Sequence, residues 1–191
     1  MKNIFKLMVI IVFASSCENM RIAHEIKSFA GSAITVPKGL KIKCGGVDTT
    51  FQYTQIQTLA KMIVWHDNMA CSSCRMKKID EWNNIVAYSR DSIIGFEPLF
   101  IFSPNKDNLY NFELEINIAD FDYPILVDYE NSFYDVNPHI PQDNKFHVFL
   151  IDKNNKVVLI GNPLHNQKLW VLYKQTINKL IANGGVLPEE N

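Results

Sequence analysis

The sequence predicts an α/β domain: a mixed central sheet flanked by helices. Three observations carry this. The run Lys61-Met-Ile-Val-Trp-His66 is β-branched and aromatic, fits a buried strand, and leads directly to Cys71-Ser-Ser-Cys74. From Ser72 to about Arg90, Met76, Ile79, Trp82, Ile85 and Val86 recur every three or four positions, the apolar stripe of an amphipathic helix. Further on, Phe146–Asp152 and Lys156–Gly161 flank Lys153-Asn154-Asn155, a hairpin signal.

The remaining elements follow along the chain. The N-terminus opens with Lys2 and Lys6, then an apolar run from Leu7 to Phe13, then small Ala14, Ser15 and Ser16 before Cys17. That order reads as an export signal, and the apolar run is shorter than the roughly 20 residues a bilayer span needs. Small residues directly before a cysteine resemble the lipobox of bacterial lipoproteins, with Ala14 where Leu is usual. The resemblance implies cleavage after Ser16 and acylation of Cys17. The other reading is an ordinary secretory signal. The expected organisation is a signal peptide over 1–16, a tether over 17–30 and one domain over 31–187. Ser32–Pro37 and Leu40–Cys44 read as short strands, Thr54–Ala60 as a short helix, and Pro98–Phe102 and Tyr123–Tyr129 as strands on either side of a helix over Asn108–Asn117. Leu169, Val171, Leu172, Thr176, Leu180 and Ile181 support a closing helix that ends near Gly184-Gly185. The order, crossovers first and an antiparallel hairpin last, gives a mixed sheet.

The chain has 191 residues, 47% of them hydrophobic, which suits one domain with a full core. Its formal net charge of -1 offers no basic surface for nucleic acid. No phosphate-cradling loop, serine nucleophile elbow or catalytic carboxylate pair stands out, and no cofactor is called for. The four cysteines, Cys17, Cys44, Cys71 and Cys74, are too few for a disulfide framework in a chain of this size and point instead to chemistry.

With a strand leading into CxxC, the segments MIVWHDNMACSSCRMKKI and FHVFLIDKNNKVVLIGNP, and a terminal helix, the chain resembles the thioredoxin superfamily. It is most similar to the membrane-anchored TlpA-like and AhpC-like redoxin branch, over roughly residues 31–184. The resemblance implies a thioredoxin-like fold and thiol–disulfide exchange. Its partners would be cysteine-containing exported proteins and a membrane or periplasmic electron donor or acceptor, and its place the cell envelope. Two positions depart from the family. Ala70 stands where Trp usually precedes the first cysteine, and Phe146 stands where a cis-proline usually precedes the strand after it.

At a helix start, unpaired N–H groups favour a thiolate, so Cys71 is expected to be the accessible nucleophile. Cys74, one turn later, is expected to resolve the mixed disulfide. Ser72 and Ser73 add no charge, and Arg75 favours the thiolate modestly. The same pair could instead be a structural disulfide in a non-catalytic binding lipoprotein. With His66 it could form a soft site for copper or zinc. His66 also reads simply as a polar residue at a strand end. Cys44, in a strand context, is expected to be a buried apolar thiol, or else a third thiol that resolves or traps Cys71. Asp152 is expected to serve the hairpin turn.

Overall fold

A computed structural model describes residues 20–49 and 58–188. Among the described residues seven strands form one sheet in the order β2-β1-β5-β4-β3-β6-β7. They are β1 (Lys41–Cys44), β2 (Val47–Asp48), β3 (Ala60–His66), β4 (Phe96–Phe102), β5 (Ile125–Val127), β6 (Val148–Asp152) and β7 (Val157–Ile160). The centre is parallel, with Val64 beside Phe100 and Phe100 beside Ile125. Both outer parts are antiparallel: β1 on β5, β6 on β3 and β7 on β6.

The helices are α1 (20–29), α2 (Ser72–Met76), α3 (Asn83–Ala87), α4 (Leu109–Ile118), α5 (Ser132–Val136) and α6 (Gln167–Ala182). The steps β3 to β4 and β4 to β5 run the same way across the sheet. Right-handed crossovers therefore carry α2, α3 and α4 to one face. There Met62, Val64, Phe100, Phe102 and Leu150 pack under Trp82, Phe112 and Ile116, with Tyr173 and Ile177 of α6. The other face, Ile63, Trp65, Leu99, Ile101 and Phe149, is covered by Phe29, Ile34, Phe133 and Ile140. Burial on both faces explains why the central strands read as unbroken apolar runs rather than alternating ones.

Several expectations need correction. The segment given to a tether is helical over 20–29, and Phe29 is fully buried edge-on against Phe149, so the folded unit takes in this helix. Ser32–Pro37 is not a strand; Ala33 makes a single bridge to Lys156. The expected helix over Thr54–Ala60 falls largely on 50–57, outside the described residues, and Ala60 begins β3. The strand expected over Tyr123–Tyr129 shortens to β5. Phe146 lies in a 3₁₀ turn over Asn144–Phe146, before β6 rather than in it.

The long helix from Ser72 is interrupted. After α2 the chain tightens into a 3₁₀ turn over Ile79–Trp82, resumes as α3 and ends in a π turn over Tyr88–Ser92. The physical reason lies in the spacing. Met76, Ile79, Trp82 and Ile85 are all buried at intervals of three residues. A tighter turn of about 3.0 residues keeps such a row on one line where about 3.6 would rotate it away.

Turn chemistry sets the remaining boundaries. Gly45 and Gly46 take positive φ between β1 and β2, and a Cβ on Gly46 would stand 2.7 Å from the side chain of Asn117. In the β6–β7 turn Asp152 Oδ1 accepts the N–H groups of Asn154 and Lys156, each at 2.8 Å, the turn role expected of it. After α6 the Gly185 N–H reaches back to the carbonyl of Leu180 at 2.7 Å.

Candidate active site

The sheet delivers its central strand, β3, to a loop over Asp67–Ala70. Asp67 Oδ1 accepts the Ala70 N–H at 2.8 Å, which closes the loop and presents Cys71 as the residue capping α2. Cys71 and Cys74 form a disulfide with Cα atoms 5.2 Å apart. The Cys74 N–H points at Cys71 Sγ, 3.3 Å away, and the Ser73 hydroxyl lies 3.6 Å from the same sulfur. A thiolate at Cys71 would inherit that backbone donor. Because α2 is only five residues long, this local N–H, rather than a long helix dipole, is what favours the anion. Both cysteines are exposed, so accessibility does not rank them as the sequence suggested. Cap position does, since it is the sulfur of Cys71 that receives the donor. Ser72 is buried beneath the pair and Arg75 is exposed beside it.

A cleft of about 400 Å³ opens next to the disulfide, with Ala70 and Arg75 in its wall on either side of the cysteines. His66, Asp67, Lys145 and His147 also line it. His147 is buried, its ring 4.3 Å from that of Trp65, in the segment where the family resemblance puts a cis-proline loop. Phe146 is buried at the proline position itself, and no cis peptide bond occurs among the described residues.

The strand ends below the site are tied by a polar chain. Trp65 Nε1 donates to Ser103 Oγ at 3.1 Å, and Ser103 donates to Asp128 at 3.3 Å. Asp128 also accepts the N–H groups of Ser132 and Phe133, at 3.0 and 2.8 Å, and so starts α5. These groups are buried and mutually satisfied, which fixes the C-terminal ends of β3, β4 and β5 relative to one another. Sequence reasoning missed Ser103, Asp128 and His147. A polar residue just past an apolar run was the available signal for Ser103 and Asp128.

His66 packs against Phe102, with ring centroids 4.6 Å apart, and burial first, then the charges of Arg75 and His147, lower its pKa to about 3. Among the described residues no three His, Cys, Asp or Glu side chains converge to hold a metal ion. The His66–Cys71–Cys74 metal site is therefore not assembled: the two sulfurs bond each other and the imidazole turns to an aromatic ring. Cys44 is half-buried at the end of β1 and is not an apolar thiol, since its Sγ lies 3.7 Å from Asp122 Oδ1. It sits three strand spacings from β3, about 14 Å at ~4.8 Å each, too far to resolve Cys71 without a large rearrangement. Cys17 lies outside the described residues, among which no helix is long and apolar enough to cross a membrane.

A strand running into an exposed Cys-x-x-Cys disulfide at a helix start, two right-handed crossovers, an antiparallel hairpin and a packed terminal helix are all now in place. The fold is thioredoxin-like. No family model matches the chain, and no curated protein matches it. Solved structures similar to it include the thioredoxin domain of a thiol-disulfide oxidoreductase from Bacteroides vulgatus, at 15% identity over 78% of this chain and 97% of that one, TM-score 0.46. A thioredoxin-like protein from Porphyromonas gingivalis matches at 13% identity over 81% of this chain and 97% of that one, TM-score 0.46. AhpC from Mycobacterium tuberculosis matches at 12% identity over 77% and 97%, TM-score 0.48. Strand order and the place of the disulfide define the fold as thioredoxin-like.

Proposed function

We propose that the protein is a thiol–disulfide oxidoreductase working through Cys71 and Cys74, exported and lipid-anchored at Cys17, with cysteines of other exported proteins as its substrates. The observation that carries this reading is the exposed Cys71–Cys74 disulfide whose capping sulfur faces the Cys74 N–H. In the oxidising direction a substrate thiolate attacks Cys71 Sγ, the Cys71–Cys74 bond breaks, and Cys74 leaves as a thiolate that takes a proton. A second substrate thiolate then attacks the substrate sulfur of the mixed disulfide and expels Cys71. The substrate loses two electrons and gains a disulfide, and the protein holds a dithiol. In the reducing direction Cys71 attacks and Cys74 resolves. A membrane or periplasmic partner restores the starting state. The anchor and the cell-envelope location rest on the Lys2 to Cys17 signal.

A second reading, a non-catalytic binding lipoprotein with a structural disulfide, is favoured by Ala70 and by the buried ring of Phe146 in the substrate-docking segment. One measurement separates the two: the reduction potential by thiol alkylation across a redox buffer series. Exchange chemistry expects a value of roughly −270 to −120 mV, whereas a value below about −300 mV marks a structural disulfide and sinks the first reading.

A further inference from the structure

The cleft beside the disulfide contains an imidazole whose two nitrogens can be assigned. His147 Nε2 lies 2.9 Å from the carbonyl oxygen of Pro141. A carbonyl can only accept, so Nε2 carries a proton and donates it. In the neutral ring Nδ1 is then a bare lone pair. It is buried with no hydrogen-bond partner, and Oδ2 of Asp67 stands 3.6 Å from it. Two acceptors facing each other, the imidazole buried and the carboxylate only slightly exposed at the cleft, repel. One proton between them would convert the repulsion into a charge-assisted hydrogen bond. The other oxygen of the same carboxylate holds the Ala70 N–H at 2.8 Å, and Ala70 precedes Cys71. Asp67 therefore joins the imidazole to the loop that carries the attacking sulfur.

The groups around the ring are mixed in sign. Asp67 comes from the loop after β3, Asp143 from the ring's own segment with Lys145 paired to it, His66 from the end of β3, and Arg75 from α2 across the cleft. Burial lowers the pKa of His147, against the Pro141 carbonyl and the carboxylates of Asp67 and Asp143, so Nδ1 is empty near neutral pH while the disulfide stands.

Resting on the oxidoreductase reading, we propose that His147 and Asp67 form the proton site of the Cys71–Cys74 couple, empty in the disulfide state and occupied in the dithiol state. The balance closes. A substrate dithiol gives up two electrons and two protons and becomes a disulfide, and the Cys71–Cys74 bond breaks. One proton goes to Cys74. The other sits on His147 Nδ1, donated to Asp67 Oδ2, and Cys71 remains a thiolate. The negative charge of that thiolate, next to the wall of the same cleft, draws the proton onto the ring. The imidazolium–carboxylate bond in turn steadies Asp67 and the loop it holds. His147 and Asp67 are positioning residues, since neither touches the reacting sulfurs.

The test is a nitrogen NMR titration of His147 in the full chain, in detergent, in both redox states. The proton affinity of Nδ1 is expected to rise about tenfold, one pH unit, on reduction. His147→Gln keeps a donor for the Pro141 carbonyl but holds no extra proton. It should slow alkylation of Cys71 at pH 7 several-fold without abolishing exchange, and Asp67→Asn, which keeps an acceptor for Ala70, should do the same. An equal midpoint for His147 in both states overturns the proposal while leaving exchange intact. A reduction potential in the structural range overturns the underlying reading instead. If either variant fails to fold, the titration of the unmodified chain decides alone.

Discussion

Cys71 and Cys44 are the same chemical group in opposite settings. Cys71 caps a helix, is exposed, and its sulfur faces a backbone N–H. Cys44 ends an edge hairpin, is half-buried, and its sulfur faces a carboxylate, so burial first and Asp122 next push its thiol up, only partly offset by Arg90. A thiolate is stabilised at one site and opposed at the other. Reactivity in this molecule is thus a property of place, decided by which backbone and side-chain dipoles the fold aims at each sulfur.

The sharpest way to break this contrast is to delete each sulfur in turn. Cys71→Ser should lower disulfide exchange by about 10³-fold or more, the scale of losing a covalent nucleophile. Cys44→Ser should leave exchange within about twofold and stability within about 1 kcal/mol. An insulin-reduction or dithiol-oxidation assay on both variants checks this. Equal losses would mean that Cys44 belongs to the reaction.

The next effect concerns acid. His66 sits at the disulfide end of β3, and its folded pKa is about 3, below its unfolded value of 6.5. A base whose pKa falls on folding binds fewer protons when folded than when unfolded. Stability is therefore complete above the unfolded value and is lost as pH falls from 6.5 toward 3. The loss should reach at most about 2 kcal/mol at pH 5, less where solvent reaches the ring. His66→Gln should remove that slope in thermal melts recorded between pH 7 and 5. An unchanged slope would place the acid sensitivity elsewhere.

The smallest effect tests the Cys44 setting itself. Asp122→Asn should speed alkylation of Cys44 about two- to fivefold at pH 8 by removing the opposing charge, and leave that of Cys71 unchanged. Mass spectrometry of the labelled peptides reads both sites at once.

The strands and the hairpin were legible because their signals are local. β3, β4 and β6 announce themselves as apolar, β-branched runs, and Asp152 with Asn154-Asn155 announces a turn. The CxxC pair was legible for the same reason. The broken helix after Ser72 was only half legible: a spacing of three and four fits an amphipathic helix, and only the requirement that Met76, Ile79, Trp82 and Ile85 all meet one sheet face selects the 3₁₀ turn. Helix α1 was missed although Ile22, Ile26 and Phe29 recur at helical spacing, because the stripe is short, set in a polar stretch, and only Phe29 is fully buried.

By itself, then, the sequence determined the fold class and the disulfide pair, since each depends on residues close together in the chain. What only the tertiary structure decided depends on residues far apart. Asp67 and His147 are separated by 80 positions in sequence and meet because β3 and β6 pair side by side. Asp128 reaches Trp65 through Ser103 because β5, β4 and β3 end at one level. Cys44 faces Asp122 for a comparable reason, since β1 runs antiparallel along β5. Pairing of strands is a long-range event whose partners leave no mark on local composition, so the charges that set the chemistry of each sulfur become visible only when the sheet is assembled.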